Sequence, residues 1–153
     1  MSVIAWDGQR MASDSLCMDS SGRKAFVKKM WRLEDGSLFG AVGRLEQGLL
    51  LKEWIEGGCE EDKVPAPLPN SEDTACLWVK KGGEVWHLSN DAVPFQLTIA
   101  GERGGIDAVG AGADYALAVL EMGYSAPEAV KIAIRFNGFC GGDIQILTLN
   151  PSK

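Results

Sequence analysis

The chain has 153 residues, 46% of them hydrophobic and 24% charged. Such proportions belong to an ordinary globular protein, so long disorder is not expected and residues 1–153 are read as one domain around one core. A net charge of −6 without any Lys- or Arg-rich stripe argues against nucleic acid as a partner. No apolar run reaches membrane-spanning length and no basic-then-apolar leader is seen, so no membrane partner and a cytoplasmic address are expected.

Residues 2–6 are a short apolar run, Asp7 and Gly8 form a tight-turn dipeptide, and residues 9–14 resume with alternating character. A β-hairpin is therefore expected at the start of the chain. Residues 25–33 read as a strand, Glu34, Asp35 and Gly36 as a turn, and residues 37–42 as the returning strand ending at Gly43. The spacing of Leu45, Leu49, Leu50, Trp54 and Ile55 predicts an amphipathic helix over 44–56 with those side chains inward, stopped at Gly57 and Gly58.

Residues 59–73 carry Glu60, Glu61 and Asp62 together with Pro65, Pro67 and Pro69, a composition that predicts a long surface loop. Residues 74–79 and 84–88 flank a Lys-Lys-Gly-Gly turn and predict a third hairpin, followed by a short extended segment over 95–99. A strand over 106–109 leads to a helix over 112–122, with Tyr115, Leu117, Val119 and Leu120 available for burial. Ser125 and Glu128 have the spacing of a capping box and open a helix to about residue 136, and a last strand covers 143–149.

Hairpins, one helix, more strands, two helices and a last strand give an α+β order, not the alternation of a parallel βαβ fold. Two antiparallel sheets packed face to face with helices outside, a four-layer αββα sandwich, would explain strands that are apolar on both faces. Cys17, Cys59, Cys76 and Cys140 are scattered, form no CxxC pair and have only His87 to join them, so free thiols, no metal and no cofactor are expected.

The opening Ser2-Val3-Ile4-Ala5-Trp6-Asp7-Gly8, followed by Ala12-Ser13-Asp14-Ser15, resembles the start of a proteasome β subunit. Val27-Lys28-Lys29 then falls at the distance of that family's catalytic lysine, and Gly40-Ala41-Val42-Gly43 resembles its GxxG after the fourth strand. The stretch from Val109 to Ala116 is similar to the glycine-rich entry into its third helix, and residues 137–142 sit where its last helix turns into the final strand. The chain thus resembles the N-terminal-nucleophile hydrolases of the proteasome-β and HslV type over nearly its whole length.

The resemblance implies a threonine-protease-type peptidase whose nucleophile is Ser2 after Met1 is removed. A hydroxyl is a weak nucleophile at neutral pH, but a first residue has its own α-amine, with a pKa of about 8, as base. In that scheme Lys29 stabilises the alkoxide, Asp14 holds the ammonium, and the Gly40 amide meets the oxyanion. Peptide or unfolded-protein substrates, ring assembly of identical subunits and an ATP-dependent unfoldase partner are implied with it.

Each residue also has a plain structural reading: Ser2 an exposed second residue, Asp14 a turn residue, Lys29 a solvated charge, Gly40 a packing necessity. Three positions depart from the family pattern. Ala111 stands in place of a serine, Asn137 of an aspartate, and Cys140 of a serine or threonine. The alternative these raise is a catalytically inactive assembly or binding module. The loop over 59–73 stands where HslV-like peptidases have another helix, so one helical layer is expected to be reduced. Gly110-Ala111-Gly112 before a helix also fits the start of a phosphate-binding turn, although Tyr115 occupies the third glycine position and no GK[ST] lysine follows.

Overall fold

The computed structural model describes residues 2–19, 21–89, 95–96 and 105–150. The expected first hairpin is β1 (Ile4–Trp6) and β2 (Arg10–Ser13), turned by Asp7, whose Oδ1 accepts the amides of Gln9 at 2.8 Å and Arg10 at 2.7 Å. The 25–33 segment is not one strand. Residues 24–26 belong to β4 (Lys24–Phe26), which pairs with β3 (Leu16–Met18), and only β5 (Met30–Arg32) pairs with β6 (Leu38–Val42). The turn between β3 and β4 is organised by Asp19, whose Oδ1 accepts the amides of Ser21 and Arg23, each at 2.9 Å. That side-chain turn carries no alternation signal, which is why the pair was hidden.

Helix α1 (Leu45–Glu56) follows, then the 59–73 loop with one 3₁₀ turn at Glu61–Lys63. The third hairpin is β7 (Ala75–Val79) and β8 (Val85–Ser89), and β9 (Phe95–Gln96) continues the sheet. The remainder of the expected 95–99 segment lies outside the described residues. Then come β10 (Asp107–Val109), α2 (Ala113–Glu121), α3 (Ala126–Phe136) and β11 (Gln145–Thr148). The Ser125–Glu128 capping box is formed, and Asp7 Oδ2 accepts the Ala126 amide at 2.8 Å, tying the first hairpin to the start of α3.

One antiparallel sheet has the order β10-β1-β2-β11 and another the order β5-β6-β7-β8-β9. Alternation along β1 and β2 sorts their side chains into two cores. Val3, Ala5 and Ala12 pack against Ala116 and Leu120 of α2 and Ala129, Val130 and Ala133 of α3. Alanine on both sides lets helix and strand approach closely. Ile4, Trp6 and Met11 point the other way, into a cluster with Met30, Leu38, Leu77, Val79 and Val85 of the second sheet. Burying each such large side chain contributes about 1.5–3 kcal/mol, so this cluster is the main bond between the sheets.

A third cluster joins Phe39, Ala41, Cys76 and Leu88 to Leu51, Trp54 and Ile55 of α1. The inward face of α1 is Gln47, Gly48, Leu51, Trp54 and Ile55, whereas Leu49 is exposed and Leu45 and Leu50 are half-buried. Helix phase explains the difference. A Cβ on Gly48 would lie 2.5 Å from that of Ala41, so the helix rotates its smallest residue onto the sheet. In α2 the buried positions are Ala116 and Leu120, and Tyr115, expected inward, is exposed and stacked on Phe136. No helix among the described residues is long and apolar enough to cross a membrane, and none of their His, Cys, Asp and Glu side chains group to hold a metal.

Candidate active site

Ser2 and Asp14 flank the two ends of the β1–β2 hairpin, whose pairing of Ile4 with Ser13 brings them together. Asp14 donates its amide to the Val3 carbonyl at 3.3 Å, and its Oδ1 accepts the Val3 amide at 3.1 Å. Its Oδ2 accepts the amide of Gly141, from the turn before β11, at 3.0 Å. The carboxylate is wholly shielded from solvent, and three donors converge on it: two backbone amides and Lys29.

Lys29 reaches this point from the residue preceding β5. Its Nζ lies 2.5 Å from Ser2 Oγ, 2.8 Å from Asp14 Oδ1 and 2.6 Å from the Leu16 carbonyl. An ammonium has three donors, and these acceptors use all of them. Ser2 is 3% and Lys29 4% exposed. Neither is the solvated group of the plain reading. An ion pair this deep is tolerable only because each charge has further hydrogen bonds that offset its lost hydration.

Ser2 is fixed from behind by the glycine-rich turn after β10. Gly112 donates its amide to the Ser2 carbonyl at 3.1 Å. A Cβ on Gly110, where φ is 103°, would fall 2.2 Å from that same carbonyl oxygen. The two glycines are therefore explained by close approach to the start of β1, and the phosphate-turn reading is not needed.

Gly40 does not line the cavity that Ser2 lines. It lies inside β6, paired with Met30 and Leu77, where a Cβ would sit 2.9 Å from Ile4 Cδ1 and 3.2 Å from Met11 Sδ. Its packing reading is the one the geometry supports. The glycine that shares a cavity with Ser2 is Gly43, at the end of β6, with φ of 85° and a Cβ position 2.6 Å from Thr74 Cα. That cavity measures about 30 Å³, and Leu16, Val27 and Val42 give it an apolar wall. It adjoins a larger cleft of about 690 Å³, the two sharing Cys17, Met18, Gly43 and Leu45.

The positions that depart from the family pattern are all in use. Asn137 donates from Nδ2 to the Ala111 carbonyl at 2.9 Å and accepts the Phe139 amide at 2.8 Å, which a carboxylate could not do with both signs. It clips the turn after α3 to the turn before α2. Cys140 is buried where a Gly112 Cβ would approach its Sγ to 2.9 Å. Burial and, after it, the nearby Asp14 charge push its thiol up to about 11, so it stays protonated at neutral pH.

Three contributors escaped the sequence reading. Gly141 could have been suspected from the Gly141-Gly142 doublet ahead of the final strand, and Gly43 from its place in the quoted GxxG. Gln145, whose Oε1 accepts the Lys29 amide at 3.1 Å, carried no signal.

Solved structures match this architecture along almost its entire length. BPH from Thiobacillus denitrificans, solved in complex with epoxomicin, superposes with a TM-score of 0.63 at 19% identity, covering 99% of this chain and 100% of that one. Eukaryotic HslV from Trypanosoma brucei gives a TM-score of 0.66 at 17% identity over 96% and 98%. The chain has the HslV-like fold. Its resemblance to the proteasome-β and HslV type of N-terminal-nucleophile hydrolase, read first from five short motifs, is thus a resemblance of structure. No protein-family model and no curated protein sequence matches it.

Proposed function

We propose that the chain is a peptidase of the N-terminal-nucleophile class, a single domain over 1–153 in the four-layer αββα arrangement with one helical layer reduced. Three hydrophobic clusters in the order helices, sheet, sheet, helix support the layering. The observation that carries the function is the Lys29 Nζ to Ser2 Oγ contact of 2.5 Å, made in a buried site where Asp14 holds the same ammonium.

Once Met1 is excised, Ser2 Oγ attacks a peptide carbonyl while its proton passes to the freed α-amine. The amine then protonates the departing nitrogen, and water, deprotonated by the same amine, releases the acyl group and regenerates Ser2. Lys29 stabilises the alkoxide electrostatically. The amide that meets the oxyanion is assigned to Gly43 in place of Gly40, because Gly43 lines the cavity with Ser2. The substrates in this proposal are peptides or unfolded protein. A cytoplasmic ring of identical subunits fed by an ATP-dependent unfoldase belongs to the same proposal and is supported by the fold shared with HslV.

Hydrolysis of fluorogenic peptides tests this reading. Cleavage by the wild-type chain, reduced on the order of 1,000-fold or more in Ser2→Ala, is the expected result. Equal rates in the two proteins would remove Ser2 from the chemistry, and no cleavage or epoxomicin adduct in either would favour the inactive module.

A further inference from the structure

We propose that Gln145 is a positioning residue for Lys29, an inference that rests on the peptidase reading above. Gln145 begins β11 and lies opposite Ser13, the neighbour of Asp14. Its Oε1 accepts the Lys29 amide at 3.1 Å and the Ser13 hydroxyl at 3.4 Å, and its Nε2 donates to the Val27 carbonyl at 3.0 Å.

The segment it holds is the crossing from β4 to β5, where the chain leaves a two-stranded hairpin and enters the second sheet. Backbone groups in such a crossing have no ladder of their own and must be satisfied individually. On one side Val27 donates its amide to the Ser15 carbonyl at 2.8 Å, and the Lys29 carbonyl accepts the Ala41 amide at 3.0 Å. On the other side are the Val27 carbonyl and the Lys29 amide, and Gln145 meets both. Toward this segment its carboxamide presents a donor and an acceptor side by side, as a neighbouring strand's peptide groups would. The side chain therefore replaces a missing stretch of sheet at the residue that supplies the ammonium.

Through this bracket the backbone of Lys29 is referenced to the sheet that carries Ser2 and Asp14. A loss of registry of about 1 Å in a reacting group can cost up to 100-fold in rate. Glutamate at 145 would keep the acceptor and lose the donor, and methionine would keep the length and lose both.

The test uses the full-length chain carrying Gln145→Met and Gln145→Glu. Peptide hydrolysis as a function of pH gives kcat and KM, amide exchange by NMR reports Lys29, and thermal melting reports the fold. For Gln145→Met the expected result is a kcat about tenfold lower, with KM unchanged and the pH limbs of the profile displaced. Exchange at the Lys29 amide should rise by at least about tenfold as its acceptor is lost. A purely structural role would lower the melting temperature and leave kcat, KM and the pH profile of the folded enzyme unaltered, and that outcome overturns the proposal. So does a change confined to KM. Should the methionine variant fail to fold, the glutamate variant is judged by the same readouts. If the parent chain cleaves nothing, the peptidase reading fails separately, and the Lys29 amide exchange and Nζ resonance decide positioning alone: a change in both supports it and constancy overturns it.

Discussion

Replacing Lys29 by methionine is expected to lower folding stability by about 3–5 kcal/mol, the usual cost of removing one partner from a buried ion pair. Asp14 has no exposure to water, and without the ammonium it keeps only the amides of Val3 and Gly141. Methionine fills the volume of the lysine stem, so the loss reports charge and not a cavity. Adding Asp14→Asn should recover part of the deficit, since the uncompensated carboxylate goes with it. Denaturant unfolding of the single and double variants measures both quantities. A single-variant loss below about 1 kcal/mol, the range of exposed pairs, would mean that the pair is solvated. Peptide hydrolysis should fall by about 100- to 1,000-fold, as when one preorganised donor to a developing charge is removed.

Gly110→Ala is expected to disturb the nucleophile more than any other single methyl group. With φ at 103° an alanine is strained by about 1–3 kcal/mol. Its Cβ would also overlap the Ser2 carbonyl oxygen at 2.2 Å, a backbone atom that no side-chain rotation can move aside, so Ser2 itself must shift. Gly123→Ala is the control, because its φ of 91° imposes the same strain while nothing lies within 4 Å of the added atom. The Gly123 variant should lose only that strain, about 1–3 kcal/mol, and keep its peptidase rate. The Gly110 variant should lose more stability and at least about tenfold in kcat, since displacement of the attacking atom is penalised steeply. Equal losses in the two would mean that the turn after β10 does not set the position of Ser2.

Much of the fold was legible because its signals are local. The Asp7-Gly8 turn, the Ser125–Glu128 box and the glycine stops of α1 each act over a few residues, and the hairpins and helices follow from them. The pair β3–β4 was not legible. Its turn is made by the Asp19 side chain, and its strands, of three residues each, are too short to display a period. Helix faces were misjudged where close approach outweighs hydrophobicity: Gly48 and Gln47 face inward from α1 while Leu49 faces water.

Within the site, Ser2, Asp14 and Lys29 are named by the resemblance to the proteasome β subunits, and in the fold their side chains meet. Gly40 is the first glycine of the GxxG, but it is paired inside β6 between Met30 and Leu77, and the second glycine, Gly43, at the strand's end, lines the cavity. Gln145 acts across more than 110 residues of sequence on Lys29, a relation that only the folded chain displays. Asn137 looked like a lost carboxylate and instead serves as a two-signed clip between turns.

Everything proposed for the chemistry depends on whether Ser2 presents a free amine beside its hydroxyl. Intact-mass measurement of the protein purified from cells, before and after treatment with a hydroxyl-directed covalent probe, addresses that directly. The prediction is a mass lacking Met1 and a single adduct that maps to Ser2 and disappears in Ser2→Ala. A chain that retains Met1 throughout, or an adduct located elsewhere, would contradict it.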